Sequence, residues 1–166
     1  LQAQASGAKV VALANSGTDF VQAVKQAREF GLTSSGQKLA AMAVTLSDIK
    51  ALGLETAQGM LHTEAFYWDF SDETRAFAKR FMARKDGVAP SQAQAGTYSA
   101  VLHYLRAVQA TGTDDTAKVL AHMKANTISD GFTPKGRIRV DGRMVHDMYL
   151  VRSKARGEPK GAWDLY

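Results

Sequence analysis

The chain has 166 residues, of which 45% are hydrophobic and 22% are charged, and it contains no cysteine. This composition is typical of a globular protein with a core, and it excludes disulfides, thiolate nucleophiles and cysteine-based metal sites. The net charge of +5 comes from 21 basic against 16 acidic residues, but the basic residues are dispersed along the chain. We therefore expect ordinary solvated faces and no nucleic-acid partner.

The start of the sequence shows no targeting pattern. Residues 1–6 have neither the basic region nor the apolar core of a signal peptide, and the first residue is not Met. No apolar run approaches the roughly 20 residues that a membrane-spanning helix needs. We therefore expect a mature product or a fragment, and the missing signal does not establish a cytoplasmic protein.

The first part of the chain alternates between apolar runs and helical patterns. The predicted strands cover 9–14, 38–44 and 59–63, and the predicted helices cover 18–30 and a short segment that Thr45 or Ser47 caps and Gly53 stops. Such alternation predicts an α/β fold in which helices flank a parallel sheet, with right-handed crossovers.

The middle of the chain is helical and the end changes to strands. Ser71, Pro90-Ser91 and Asp114 each begin a predicted helix, the first with a capping-box pattern. Residues 137–140 and 144–151 then alternate around Asp141-Gly142, which predicts a β-hairpin with a type I′ turn.

The loop after the first strand is the best candidate for a ligand site. Asn15, Ser16, Gly17 and Thr18 lie between an apolar strand and a helix, and ligands of α/β folds bind at this edge of the sheet. The loop offers an amide, hydroxyls and free helix N–H groups that suit an anion, including a carboxylate. It offers no catalytic set, because Ser16 lies outside a GxSxG motif and has no obvious partner histidine or acid.

The rest of the sequence contains no motif typical of catalysis or metal binding. The four histidines lie far apart, without HExxH or HxH spacing, so we expect structural or surface roles for them and no metal site. We expect no cofactor and no enzymatic activity. The histidines are His62, His103, His122 and His146.

Aromatic residues near the middle of the chain leave two interpretations open. The segment 64–70 is the densest in aromatic rings, and its rings either fill a core or an interdomain joint, or place Tyr67 or Trp68 in a pocket. Tyr98, near the start of a helix, has the same two interpretations.

Taken in order, four segments resemble the type I periplasmic binding proteins of ABC importers, in particular the leucine/isoleucine/valine-binding group. The resemblance covers essentially the whole chain. The segments are the strand, turn and helix of Val10 to Leu32, Gly59-Met60-Leu61 before an aromatic crossover, Ala95-Gly96-Thr97-Tyr98 at the start of a long helix, and Gly131 to Gly136 before the hairpin.

The resemblance implies two α/β lobes, each only partly present, with ligand held in a cleft between them. Residues 1–64 would belong to the second lobe, 65–135 to the helical part of the first lobe after a hinge crossover, and 136–166 would return to the second lobe. It also implies a periplasmic location, a small-molecule ligand and a membrane permease as partners. Because the chain would be a C-terminal portion, we expect either the missing N-terminal half or a second copy, as in a domain-exchanged dimer, to complete it.

The resemblance also assigns the ligand contacts by position. They are Asn15, Ser16 and Thr18, the loop 43–45 with Val44 and Thr45, Tyr67 and Trp68 at the crossover, and Tyr98. Relatives that bind amino acids place a carboxylate in the loop after the second strand, whereas residues 41–45 here contain none. Since an ammonium without a counter-charge is costly to bury, we expect a ligand other than an ordinary α-amino acid. An aromatic or other carboxylate is the first candidate, and a branched-chain amino acid-like compound stays open as the alternative.

Three functions remain open at this point. The first is the solute-binding component of an ABC transporter, and the second is a ligand-sensing domain of a transcription regulator or receptor with the same fold. An α/β enzyme is the third, and the missing catalytic set disfavours it. A signal peptide upstream would favour transport, whereas a helix-turn-helix would favour regulation.

Overall fold

The computed structural model describes all residues from Leu1 to Tyr166. No helix in it combines the length and the apolar character that crossing a membrane requires. The helices are α1 (Gln2–Ala5), α2 (Gly17–Glu29), α3 (Leu46–Leu52), α4 (Leu54–Ala57), α5 (Asp72–Met82), α6 (Gln92–Thr111) and α7 (Thr116–Ala125). The strands are β1 (Val10–Leu13), β2 (Lys38–Ala41), β3 (Leu61–Glu64), β4 (Arg137–Ile138), β5 (Met144–Val145) and β6 (Tyr149–Arg152).

The chain divides into two compact units. Unit 1 consists of residues 1–64 and 150–166, and unit 2 consists of residues 65–149. Unit 1 is therefore built from two separate stretches of sequence, whereas unit 2 is continuous.

Unit 1 contains a sheet in which β2 pairs in parallel with β1 and with β3. The strand order is β1-β2-β3-β6. Phe20 and Val24 of α2 and Ile49 of α3 are buried in its core. Along the strands, exposed residues alternate with buried or half-buried ones, so one face of the sheet is covered and the other is open.

Unit 2 is mainly helical and has its own aromatic core. Phe66, Phe77, Ala95 and Phe132 form this buried cluster. Ser71 and Ser91 cap α5 and α6, and both caps are capping boxes, as the sequence predicts for Ser71. The predicted cap Asp114 is wrong by one residue, because Asp115 accepts the N–H of Lys118 at 3.0 Å.

The predicted hairpin is correct only at its base. β4 and β5 pair in antiparallel fashion, but the predicted second strand, 144–151, is interrupted, and its last part belongs to β6 of the larger sheet. His146 marks the interruption, because its ring packs edge-on against Phe132 with centroids 5.0 Å apart.

The predicted type I′ turn is also wrong. Only Gly142 has a positive φ, of 87°, and Asp141 does not, whereas a type I′ turn needs a positive φ at both central residues. The loop has three residues and closes through the N–H of Arg139, which donates to the carbonyl of Arg143 at 2.9 Å. The Asp141 carboxylate accepts from the Arg139 side chain at 2.6 Å and from the Arg143 N–H at 3.2 Å, which stabilises the wider loop.

Candidate functional site

The carboxyl ends of β1 and β2 lie at one edge of the unit 1 sheet. The strands run in parallel, and the N–H of Met42 donates to the carbonyl of Leu13 at 3.0 Å where both strands end. The structure therefore brings two groups of predicted ligand contacts to the same edge. They are Asn15, Ser16 and Thr18 after β1, and Val44 and Thr45 after β2.

The N-terminus of α2 is open. Ser16 is its N-cap with extended backbone, but its side chain makes no capping hydrogen bond. Gly17 begins the helix with a φ of 59°, a conformation that suits glycine. The first N–H groups of a helix have no partner within the helix and lie at the positive end of its dipole. This end of α2 is therefore suited to an anion.

Asn15 presents an unused hydrogen-bond acceptor at the same edge. Its Oδ1 is buried and has no hydrogen-bond partner in the structure. Most buried polar atoms are paired, because an unpaired one costs about 1–3 kcal/mol. Asn15 Oδ1 can therefore accept a hydrogen bond from a donor outside the chain, either a ligand group or an ordered water.

In the neighbouring loop after β2, polar groups already form hydrogen bonds within the protein. The N–H and the Oγ1 hydroxyl of Thr45 both donate to Oδ2 of Asp48, at 2.9 and 2.8 Å, and complete a capping box for α3. Val44 is buried. The Asp48 carboxylate is thus already engaged within the protein, and a ligand finds fewer free polar groups here than at α2.

A third strand end holds polar residues that sequence analysis does not assign to the site. His62 and Glu64 of β3 are buried, and the hydroxyl of Tyr166 donates to Oε1 of Glu64 at 2.8 Å. Burial raises the pKa of Glu64 to about 8 and lowers the pKa of His62 to about 4. Both side chains are therefore uncharged at neutral pH, and Glu64 supplies no negative charge there.

A pattern in the sequence does point to these two residues. His62 and Glu64 are two positions apart in a strand, so they lie on the same face, and that face is the buried one. Two titratable residues on the core face of a strand are an unusual combination.

Unit 2 contains the remaining predicted contacts. Tyr67 lines a cavity of about 490 Å³ together with the rings of Phe66, Phe70 and Tyr149. Trp68 packs against the aromatic core. The cavity is large enough for a small organic molecule.

Tyr98 lies elsewhere, at a second cavity of about 340 Å³ beside Phe77 and Phe81. Its ring is 5.0 Å from that of Phe77. Arg84 and Lys85 also line this second cavity. The structure therefore places Tyr67 and Tyr98 at different cavities of unit 2, although sequence analysis groups them in one site.

Arg80 lines both cavities and was missed by sequence analysis. Its guanidinium donates to the carbonyl of Ala76 at 3.3 Å, and it forms no ion pair. Asp130 also borders the first cavity, but its carboxylate accepts from the Ser99 hydroxyl at 2.7 Å and from the Phe132 N–H at 2.8 Å. Arg80 therefore gives both cavities an unpaired positive charge.

The unpaired polar groups of the two units are suited to binding a ligand. No group of three or more His, Cys, Asp or Glu residues is placed to hold a metal ion. The side chain of Ser16 forms no hydrogen bond that would activate it as a nucleophile. The open groups are an anion-binding helix end, an amide oxygen and an arginine.

Comparison with known proteins finds both a matching family and similar solved structures. A family model described as periplasmic binding protein matches residues 1–158. A periplasmic binding protein from Burkholderia mallei is 47% identical with a TM-score of 0.93, and the match covers 99% of this chain and 43% of that chain. Among curated proteins none matches the chain.

Two further solved structures are similar. A branched-chain amino acid ABC transporter periplasmic ligand-binding protein from Burkholderia xenovorans is 48% identical with a TM-score of 0.87, over 99% of this chain and 44% of that chain. An ABC transporter solute-binding protein from R. palustris in complex with 4-hydroxybenzoate is 22% identical with a TM-score of 0.79, over 94% and 44%, and this likeness is one of fold. The chain spans less than half the length of each of these structures.

Proposed function

Because the chain belongs to the periplasmic binding protein family, we propose that it is part of the solute-binding component of an ABC importer. In this role it binds a small molecule in the periplasm, presents it to a membrane permease and catalyses no reaction. The observation that supports this role best is the open edge of unit 1, where binding groups are present without a nucleophile and base.

We propose that the ligand is a small carboxylate, with an aromatic carboxylate as the leading class. The uncapped N-terminus of α2 offers N–H groups to the carboxylate, with the hydroxyls of Ser16 and Thr18 beside them. Asn15 Oδ1 accepts a hydrogen bond from a ligand hydroxyl or from a bridging water.

The same edge is poorly suited to an α-amino acid. An ammonium group needs a counter-charge when it leaves water. Asp48 is engaged by Thr45, and Glu64 stays protonated at neutral pH because burial raises its pKa. The loop 41–45 has no carboxylate of its own.

Similar proteins include examples of two ligand classes, aromatic carboxylates and branched-chain amino acids. The R. palustris protein was solved with 4-hydroxybenzoate, and the B. xenovorans protein is described as a branched-chain amino acid transporter component. The test therefore compares these two classes.

We would titrate the full-length protein with benzoate, 4-hydroxybenzoate and leucine by calorimetry at neutral pH. We expect an aromatic acid to bind at least about tenfold more tightly than leucine, a difference of about 1.4 kcal/mol. Tight binding of leucine would contradict the proposed ligand class.

A matched pair of variants tests the site within the same titration. Asn15→Asp places a negative charge at the open edge, and we expect it to weaken binding of the aromatic acid about tenfold or more through like-charge repulsion. Gln22→Glu makes the same chemical change further along α2 on an exposed position, and we expect it to leave the affinity unchanged. Equal affinities of the two variants would remove Asn15 from the site.

The chain covers less than half of the length of its relatives, so we propose that polypeptide outside this chain completes the binding protein. This polypeptide is either an N-terminal half or a second copy of the chain in a domain-exchanged dimer. The mass of the protein on a sizing column distinguishes a domain-exchanged dimer from a monomer.

A further inference from the structure

The end of β3 holds a polar cluster that the proposed ligand site does not use. The side chains of His62 and Glu64 are 0% and 1% exposed, and His62 Nε2 lies 3.8 Å from Glu64 Oε1. The ring of Tyr166 packs edge-on against the His62 ring with centroids 4.7 Å apart. Its hydroxyl donates to Glu64 Oε1 at 2.8 Å. We call these three residues the β3 cluster.

The β3 cluster contains a carboxyl group without a permanent cation beside it. No lysine or arginine forms an ion pair with Glu64, and His62 is the one basic group within 4.0 Å. Asp48 of α3 adds a second acidic group, whose negative charge disfavours ionisation of Glu64. Glu64 Oε2 and both ring nitrogens of His62 have no hydrogen-bond partner. An ionised Glu64 would therefore be a poorly compensated buried charge.

Tyr166 belongs to a segment that is tied to the first stretch of unit 1 at several points. The N–H of Ser153 donates to the carbonyl of Met60 at 2.9 Å, and the N–H of Gly59 donates to the carbonyl of Ser153 at 2.9 Å. The side chain of Lys50 donates to the carbonyl of Ala162 at 2.6 Å. The β3 cluster thus joins the end of β3 to a segment that lies far away in sequence.

We propose that the β3 cluster holds one proton at neutral pH, that it fastens the segment 153–166 to β3, and that unit 1 is weakened when this proton is lost. The pKa of Glu64 is about 8 in the folded protein, against an ordinary value of 4.5. The folded state therefore keeps a proton that the unfolded state releases as the pH rises above 4.5. The stability that this difference supplies is complete below pH 4.5 and is lost as the pH rises towards about 8.

His62 has the opposite effect on the stability of the folded protein, and it acts at acidic pH. Its pKa of about 4 lies below the ordinary value of 6.5, because burial disfavours the charged ring. The unfolded state therefore binds a proton that folded His62 does not, and stability falls as the pH drops from 6.5 towards about 4. Measurements between about pH 6.5 and about pH 8 consequently isolate the contribution of Glu64 within the cluster.

The decisive variant is Glu64→Gln, which keeps an acceptor for Tyr166 and cannot ionise. We would measure urea unfolding of the full chain between about pH 6.5 and about pH 8, and compare unfolding equilibrium constants at each pH. The ratio of the wild-type constant to the variant constant should rise about tenfold per pH unit. Glu55→Gln, at an exposed glutamate of the same unit, should run parallel to the wild type. Parallel curves for Glu64→Gln would overturn the proposal.

Tyr166→Phe provides a second test that does not depend on the folding of the first variant. It keeps the ring and removes the hydroxyl, whose hydrogen bond lowers the pKa of Glu64. The pH-dependent loss of stability should therefore extend to a higher pH than in the wild type. A hydroxyl with only a structural role would lower stability equally at every pH, and that result would contradict the proton-holding role.

Discussion

Asn15 follows β1 and Asp48 lies in the first turn of the helix that follows β2, yet their side chains are in opposite states. Asp48 is satisfied by two donors from Thr45, whereas Asn15 Oδ1 is buried without a donor. Residue type alone does not distinguish the two, because asparagine and aspartate are both common beside the first residues of helices. The structure distinguishes them because it shows which polar atoms are already paired, and this difference determines which loop we assign to the ligand.

Gly131 is the glycine of unit 2 with the least space around it. A Cβ at this position would lie 2.6 Å from the Cβ of Phe77 in the aromatic core. We expect Gly131→Ala to destabilise the protein by roughly 1–3 kcal/mol through overpacking, measured by denaturant unfolding. Gly161→Ala is the control, since a Cβ there meets no atom within 4 Å, and its stability should stay within about 0.5 kcal/mol of the wild type. Equal stability of the two variants would contradict this prediction and show that Phe77 can move to accept the extra methyl group.

At the scale of elements, the longer helices α2, α3, α5, α6 and α7 and the first three strands could be predicted from sequence, whereas the four-residue helices α1 and α4 were not predicted. Apolar spacing locates α2, and Ser71 locates the start of α5, because these signals are local. The prediction of a type I′ turn was wrong because Asp141 accepts hydrogen bonds from its neighbours and widens the loop. Most of β6 was predicted as a strand but assigned to the hairpin, because its partner in the sheet is a strand distant in sequence.

The candidate site was only partly predictable, for the same reason. The loop after β1 follows from a local strand, turn and helix pattern, so Asn15 and Ser16 could be chosen from sequence. The contact between Tyr166 and Glu64 spans 102 positions, and no local pattern links the two. The place of Arg80 beside two cavities also depends on tertiary packing.

Helix α6 presents two half-exposed tyrosines that allow a matched comparison. Tyr98 borders a cavity that also contains Arg80, Arg84 and Lys85, a combination of aromatic ring and positive charge that suits an aromatic carboxylate. We expect Tyr98→Ala to weaken binding of the aromatic acid about tenfold in calorimetry. Tyr104→Ala, at a tyrosine of similar exposure that does not line this cavity, should leave affinity unchanged. If both variants bind like the wild type, Tyr98 is not a ligand contact.

For the whole molecule, the family and the α/β fold predicted from the sequence are confirmed. The family model matches residues 1–158, and the structural match to the B. mallei protein extends over 99% of the chain. The ordered set of segments was sufficient for this because each is a recognisable local pattern and their order is kept. Ligand identity is not fixed by the fold, since similar folds bind different solutes.

The alternative role in regulation makes a different prediction about the whole protein. For a solute-binding component, we expect the complete reading frame to encode a signal peptide, and cell fractionation to release the protein with the periplasm. A helix-turn-helix in the reading frame and a cytoplasmic location would instead favour a ligand-sensing domain of a regulator. Reading the complete frame and fractionating cells tests both roles with the protein as it is made.

The discontinuity of unit 1 has a consequence for synthesis. Its first stretch ends at Glu64 and its second begins at Leu150, with the whole of unit 2 between them. On the ribosome, β1, β2 and β3 therefore emerge long before β6 and Tyr166, and unit 2 is translated before these later parts of unit 1 exist. The sheet of unit 1 therefore stays unfinished until the whole of unit 2 has been made, and a premature stop codon after unit 2 would remove β6 from the sheet of unit 1.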